Sequence, residues 1–217
     1  MSEFATRRMM MVDTQVRPSD VTKFPIIEAM LHIPREAYVP SDKRDAAYVG
    51  ENVDLGNGRV VLDPRSFAKL LDALDLQPQD FVLDLGAGLG YSAAVIARMV
   101  ETVIAVESDA AMAAEAERNL DAQGVHNAVV LSGNLAEGNA KHAPYDVITI
   151  QGGIEVLPDA IAAQLKEGGR IGAIFIEGAL GTARIGVKAN GRITWRNVFH
   201  AGAPVLAGFE KTLGFAL

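Results

Sequence analysis

The sequence predicts an α/β protein: a doubly wound, mostly parallel sheet, with helices before it and an antiparallel hairpin at its C-terminal end. Three observations carry that expectation. Apolar strand-like runs alternate with helical patterns between residues 81 and 177, the pattern of parallel strands joined by helical crossovers and covered on both faces. Val82-Leu83-Asp84-Leu85-Gly86-Ala87-Gly88-Leu89-Gly90-Tyr91 runs from a buried-type strand through three alternate glycines into a helix beginning near Ser92. Asn190-Gly191 separates two strand-like runs, 182–188 and 192–199, which is a strong short-range hairpin signal.

The elements follow in order. Residues 1–18 show no clear period and are expected to form a mobile arm. A helix is expected after Ser19-Asp20, with Pro25 in its first turn and Ile26, Ile27, Met30 and Leu31 at helical spacing. Pro34 ends it, and Pro34-Arg35-Glu36-Ala37-Tyr38-Val39-Pro40 begins a second short element. Residues 50–62 read as an extended, glycine-containing loop. Asp63 then caps a helix that Pro64 opens, with Phe67, Leu70, Leu71 and Leu74 on one face.

Phe81–Leu85 is the first strand of the expected sheet and Thr102–Glu107 the second. Asp109 caps an alanine-rich helix that runs to about residue 123 and stops at Gly124. Ala128–Ser132 reads as the third strand and 145–151 as the fourth. Pro158-Asp159 opens a helix reaching Gly168-Gly169, and 170–176 is the fifth strand. The hairpin is expected to add one antiparallel strand at the far end of the sheet. The chain thus divides into an arm, 1–18, and a single domain, 19–217, with its ligand-binding core at 81–177 and a hairpin and tail at 178–217.

Composition narrows the function classes. With 217 residues, 49% of them hydrophobic, the chain suffices for one sizeable α/β domain. Cysteine is absent, which removes disulfides, thiolate metal sites and thiol nucleophiles, and is compatible with a reducing cytoplasm. Four scattered histidines have no metal-ligand spacing, so no metal is expected. A formal net charge of −7 argues against nucleic-acid binding. No apolar run approaches membrane-spanning length.

The glycine turn carries the chemistry. Strand, glycine turn and helix form the first half of a Rossmann-like nucleotide unit, where side chains would keep a ligand from the backbone. A dinucleotide fingerprint would need glycine at 91, and Tyr91 is there. Asp84, expected at the mouth of the loop, would repel a pyrophosphate and suit the ammonium of a methionine-like group. S-adenosylmethionine (SAM) carries such an ammonium and is net positive. Glu107 follows Gly86 by about the 20 residues expected of a ribose-binding carboxylate, and its two oxygens can accept from both ribose hydroxyls. The expected cofactor contacts are Asp84, Gly86, Ala87, Gly88 and Gly90 in the turn, Glu107, and Asn134 with Leu135 after the third strand.

These residues resemble one family in particular, the protein-L-isoaspartate O-methyltransferases of the class I SAM-dependent methyltransferases. Ile33-Pro34-Arg35-Glu36-Ala37-Tyr38-Val39-Pro40 is similar to that family's N-terminal segment, and Leu83-Asp84-Leu85-Gly86-Ala87-Gly88-Leu89-Gly90-Tyr91 to its first motif. Ala143-Pro144-Tyr145-Asp146-Val147-Ile148 and Gln164-Leu165-Lys166-Glu167-Gly168-Gly169-Arg170 resemble its approaches to the fourth and fifth strands. The resemblance implies methyl transfer from SAM to a carboxylate of an isoaspartyl-containing protein or peptide, or of a small acceptor, as in protein repair. Two positions depart from the family. Its G-x-T-I-S-x-P segment is Gly58-Arg59-Val60-Val61-Leu62-Asp63-Pro64 here, which puts Leu62 where the active-site hydroxyl belongs. The family's adenine-contacting aspartate is Asn134.

Arg59 is the expected substitute for orienting an acceptor carboxylate, since guanidinium can hold one through two hydrogen bonds. Val61 and Leu62 are expected to border the cofactor as well. A SAM-dependent methyltransferase of another acceptor and a non-catalytic SAM-binding module are the competing readings. An NAD-dependent oxidoreductase is disfavoured by Tyr91 and Asp84.

Overall fold

The structure, a computed structural model, describes residues 3–211. Residues 1–2 of the expected arm and 212–217 of the expected tail lie outside the described residues. Five parallel strands carry the fold: β3 (Phe81–Leu85), β4 (Thr102–Glu107), β5 (Ala128–Ser132), β6 (Tyr145–Ile154) and β7 (Leu165–Glu177). Two antiparallel strands, β8 (Leu180–Ala189) and β9 (Arg192–His200), extend the sheet, giving the order β5-β4-β3-β6-β7-β8-β9. The hairpin therefore adds two strands, where the sequence suggested one. Asn190 and Gly191 both have positive φ, 53° and 74°, as the favoured two-residue turn requires.

Alternation along the strands assigns the two faces of the sheet. Val82, Val103, Ala105 and Val147 join a core with α2 (Phe24–His32), α3 (Pro64–Leu74), α4 (Tyr91–Ala97) and α5 (Ala110–Ala122). Leu83, Leu85, Ile104, Val106, Ile148 and Ile150 join a second core with Ile161 of α6 (Asp159–Ala163) and with Leu206 and Phe209 of the tail. In α3, Asp63 accepts from the Ser66 amide at 2.9 Å, and Phe67, Leu70, Leu71 and Leu74 are buried as their spacing predicts. Burying each such side chain contributes about 2 kcal/mol. α6 covers only five residues; the chain after it enters β7 well before Gly168-Gly169.

Two stretches differ more sharply from the sequence reading. Residues 3–16 are helical: α1 (Glu3–Met11) continues into a π turn at Val12–Val16, and Met11, Val12 and Val16 are buried. A π turn widens the helix and shifts its register, so no single period runs through the stretch. Residues 50–62 contain a separate antiparallel hairpin, β1 (Val53–Gly56) and β2 (Arg59–Val61). Its strands of four and three residues are too short for an alternation to stand out. No helix among the described residues is long and apolar enough to cross a membrane.

Candidate active site

The strand order reverses direction between β3 and β6. Ligands of open α/β sheets bind at such a switch point, outside the carboxyl ends of the strands. The glycine turn leaves β3 there, Glu107 ends β4, and Gly133-Asn134 follows β5. Gly88 holds φ of 56°, and a Cβ on it would stand 2.6 Å from Leu55 Cδ1 of the β1–β2 hairpin. The left-handed backbone favours glycine here, and the hairpin packs closely onto it.

Two spaces flank this turn. A cavity of about 10 Å³ is lined by Val60, Val61, Leu62 and Phe67 on one side and by Gly86, Ala87, Tyr91, Ser92 and Gln151 on the other. That is below the roughly 300–1,000 Å³ usual for ligand pockets. A groove of about 360 Å³ is lined by Ser108, Gly133, Asn134, Leu135, Ala207 and Gly208. The structure therefore brings Val61, Leu62, Gly86 and Ala87 to the cavity, and Asn134 and Leu135 to the groove. Asn134 also organises its own turn: Oδ1 accepts from the Ala136 amide at 3.0 Å and Nδ2 donates to Glu137 at 3.1 Å.

Glu107 is fully buried, and both of its oxygens are engaged. Oε2 accepts from the Gly88 amide at 2.9 Å, and Oε1 from the Asp109 amide at 3.0 Å. Arg59 Nε approaches Oε1 and Oε2 at 3.0 and 3.2 Å, while its Nη2 donates to Ser108 Oγ at 2.6 Å. This corrects the expectation for Arg59. Its side chain is 5% exposed and bound to the site's own carboxylate, so in this conformation it has no free face for an acceptor. The short β2 strand carries it inward instead of leaving it on a solvated loop.

Asp84 also lies deeper than expected. It is completely buried in β3 and accepts from Ser92 Oγ, from Thr149 Oγ1 at 2.7 Å and from Gln151 Nε2 at 2.7 Å. Burial pushes its carboxyl above the ordinary range, although all three donors pull the other way. Its reach to the cavity is indirect: it fixes Ser92 and Gln151, which line the wall. Sequence reasoning missed Gln151, whose signal is an amide directly after Ile148-Thr149-Ile150 toward the carboxyl end of the fourth strand.

A further missed residue is Arg35. It is wholly buried, donates to the Ala47 carbonyl at 2.6 Å and to the Leu62 carbonyl at 2.8 Å, and places its guanidinium 4.8 Å from the centre of the Tyr91 ring. The N-terminal segment thus holds the backbone of the cavity loop. Each hydrogen bond from such a charged group contributes about 2 kcal/mol.

Comparison with known proteins places these features in one family. The sequence model of the protein-L-isoaspartate(D-aspartate) O-methyltransferases matches residues 7–196. A protein-L-isoaspartate O-methyltransferase of Syntrophus aciditrophicus is 35% identical over 171 residues, covering 79% of this chain and 78% of the relative. Protein-L-isoaspartate O-methyltransferase 1 of Rhodopseudomonas palustris is 36% identical over 170 residues, covering 78% of this chain and 69% of the relative. Among solved structures, a protein-L-isoaspartate O-methyltransferase superposes with a TM-score of 0.80 at 24% identity, covering 93% of this chain and 66% of that one. A Plasmodium falciparum protein of that kind, crystallised with S-adenosyl-L-homocysteine, gives 0.78 at 18% identity, covering 95% and 99%. These two superpositions speak to the fold; the sequence matches decide the lineage, and by them this chain belongs to the protein-L-isoaspartate O-methyltransferase family.

Proposed function

We propose that this protein is a SAM-dependent carboxyl methyltransferase acting in the cytoplasm on isoaspartyl residues of proteins or peptides. The observation that carries the reading is the meeting of the glycine turn, Glu107 and the Asn134–Leu135 groove at one switch point of the sheet. Those residues suit the parts of SAM. Glu107 is the carboxylate for the ribose hydroxyls, the groove offers an apolar wall and an amide for adenine, and Gly86 and Ala87 line the cavity. Bound there, the cofactor supplies an activated methyl group.

The chain's own part is positioning and drying. An acceptor carboxylate is already ionised near neutrality, so the reaction needs no general base. The wall of Val60, Val61, Leu62 and Phe67 keeps water from the acceptor side. Arg35 fixes that wall through the Leu62 carbonyl, and orientation of two bound reactants supplies much of the acceleration. The same apolar wall favours a second reading, a methyl acceptor other than a carboxylate, because Leu62 cannot donate to one.

Titration calorimetry tests the cofactor assignment. S-adenosylhomocysteine is expected to bind and NAD is not. Glu107→Ala is expected to weaken S-adenosylhomocysteine at least about tenfold, the loss of one hydrogen bond to a charged group. Binding of NAD alone would end the reading.

A further inference from the structure

The acid expected to hold the ribose is already occupied by the protein. Glu107 takes the Gly88 and Asp109 amides, the Ser108 hydroxyl at 3.3 Å, and Arg59 Nε across both oxygens. A carboxylate offers about four lone-pair sites, so none remains for two ribose hydroxyls. Arg59 is the contact most easily surrendered, because the others are the backbone amides of Gly88 and Asp109 and the hydroxyl of the adjacent Ser108, whereas Arg59 reaches Glu107 by a long side chain from another hairpin. It stands on β2, beside Val60, which lines the cavity, and it donates to Ser108, which lines the groove. The Arg59–Glu107 pair therefore bridges the two spaces that one nucleoside-bearing ligand has to span.

Arg59 cannot leave alone. The hairpin that carries it is tied to the same end of the sheet by Asn57 Nδ2, which donates to Asp109 at 2.8 Å, and by Leu55 seated on Gly88. Val60, Val61 and Leu62, the wall on the acceptor side, follow directly on Arg59. We propose that Arg59 is an internal competitor for the ribose-binding carboxylate, so that cofactor binding and release of the β1–β2 hairpin are one event. Breaking the pair leaves a buried carboxylate that needs new partners, and the ribose hydroxyls supply them. The acceptor wall is then freed only after the cofactor has entered, which orders binding with cofactor first. This rests on the SAM reading of the site.

The competition has a measurable size. A ligand that needs a minor conformation binds more weakly by the fraction of molecules in that conformation, commonly 10% or less. Arg59→Met keeps an apolar stem and removes the competing guanidinium. It is expected to tighten S-adenosylhomocysteine about tenfold or more in titration calorimetry. Asn57→Ala, at an exposed hairpin tip, is expected to tighten it by a smaller factor, and it decides the matter if Arg59→Met does not fold. Wild-type protein that binds S-adenosylhomocysteine as tightly as the folded variant, or more tightly, would overturn the competition and make Arg59 a support of Glu107. Failure of wild type and variants alike to bind would overturn the SAM reading itself, and the competition with it.

Discussion

Leu62 stands where the resemblance to the family puts an active-site hydroxyl, and its surroundings say what such an exchange would do. It is 2% exposed and lines the cavity, with its carbonyl held by Arg35. The backbone of the loop is thus fixed independently of the side chain. Leu62→Ser is expected to cost about 3 kcal/mol of stability from the lost packing. Its hydroxyl can reach an acceptor carboxylate, and a hydrogen bond to a charged group contributes about 2 kcal/mol. Turnover on an isoaspartyl peptide should therefore rise about tenfold or more, with S-adenosylhomocysteine affinity unchanged, the mark of an interaction made with the acceptor. Initial rates and calorimetry on the same preparation check both halves. A parallel change in affinity would place Leu62 on the cofactor side.

Elements were legible in the sequence in proportion to their local signal. β3 to β5 carried apolar runs, Asp63 and Asp109 capped α3 and α5, and Asn190-Gly191 marked the turn between β8 and β9. The π turn hid α1, and β1 and β2 were too short to show a period. Pairings between elements left no trace at all. Arg59 and Glu107 are 48 positions apart, and Asp84 and Gln151 are 67 apart; only the fold brings them together. One such pairing predicts an acid response. Asp146 on β6 accepts from Lys166 of β7 and from the Phe81 amide of β3. Burial raises its carboxyl, but Lys166 and that amide outweigh it and hold the pKa below the ordinary value. A carboxyl lowered in the folded state stabilises above its unfolded pKa of about 3.9 and loses that contribution as pH falls through the lowered value. Lys166→Met should be less stable than wild type in urea at pH 7, and the gap should close below about pH 4. A gap independent of pH would assign the loss to packing of the lysine stem.

At the scale of the molecule, the carboxyl ends of the strands assemble residues from β2, β3, β4 and β6, with the turns after β3 and β5, into one site. The sequence resemblance indicated the family and its cofactor because the glycine turn, Glu107 and the Arg35 segment are local motifs. The closed state of the site was not legible, because it depends on a short hairpin folding back over the glycine turn. If Leu62 stands where the resemblance places the family's hydroxyl, the protein is expected to methylate isoaspartyl residues slowly. The most direct measurement is methyl transfer from labelled SAM to an isoaspartyl peptide and to its normal aspartyl counterpart, by wild type and Leu62→Ser together. The account predicts base-labile methyl ester on the isoaspartyl peptide alone, formed slowly by wild type and faster by Leu62→Ser. Tight S-adenosylhomocysteine binding with no ester from either protein would contradict a carboxylate acceptor.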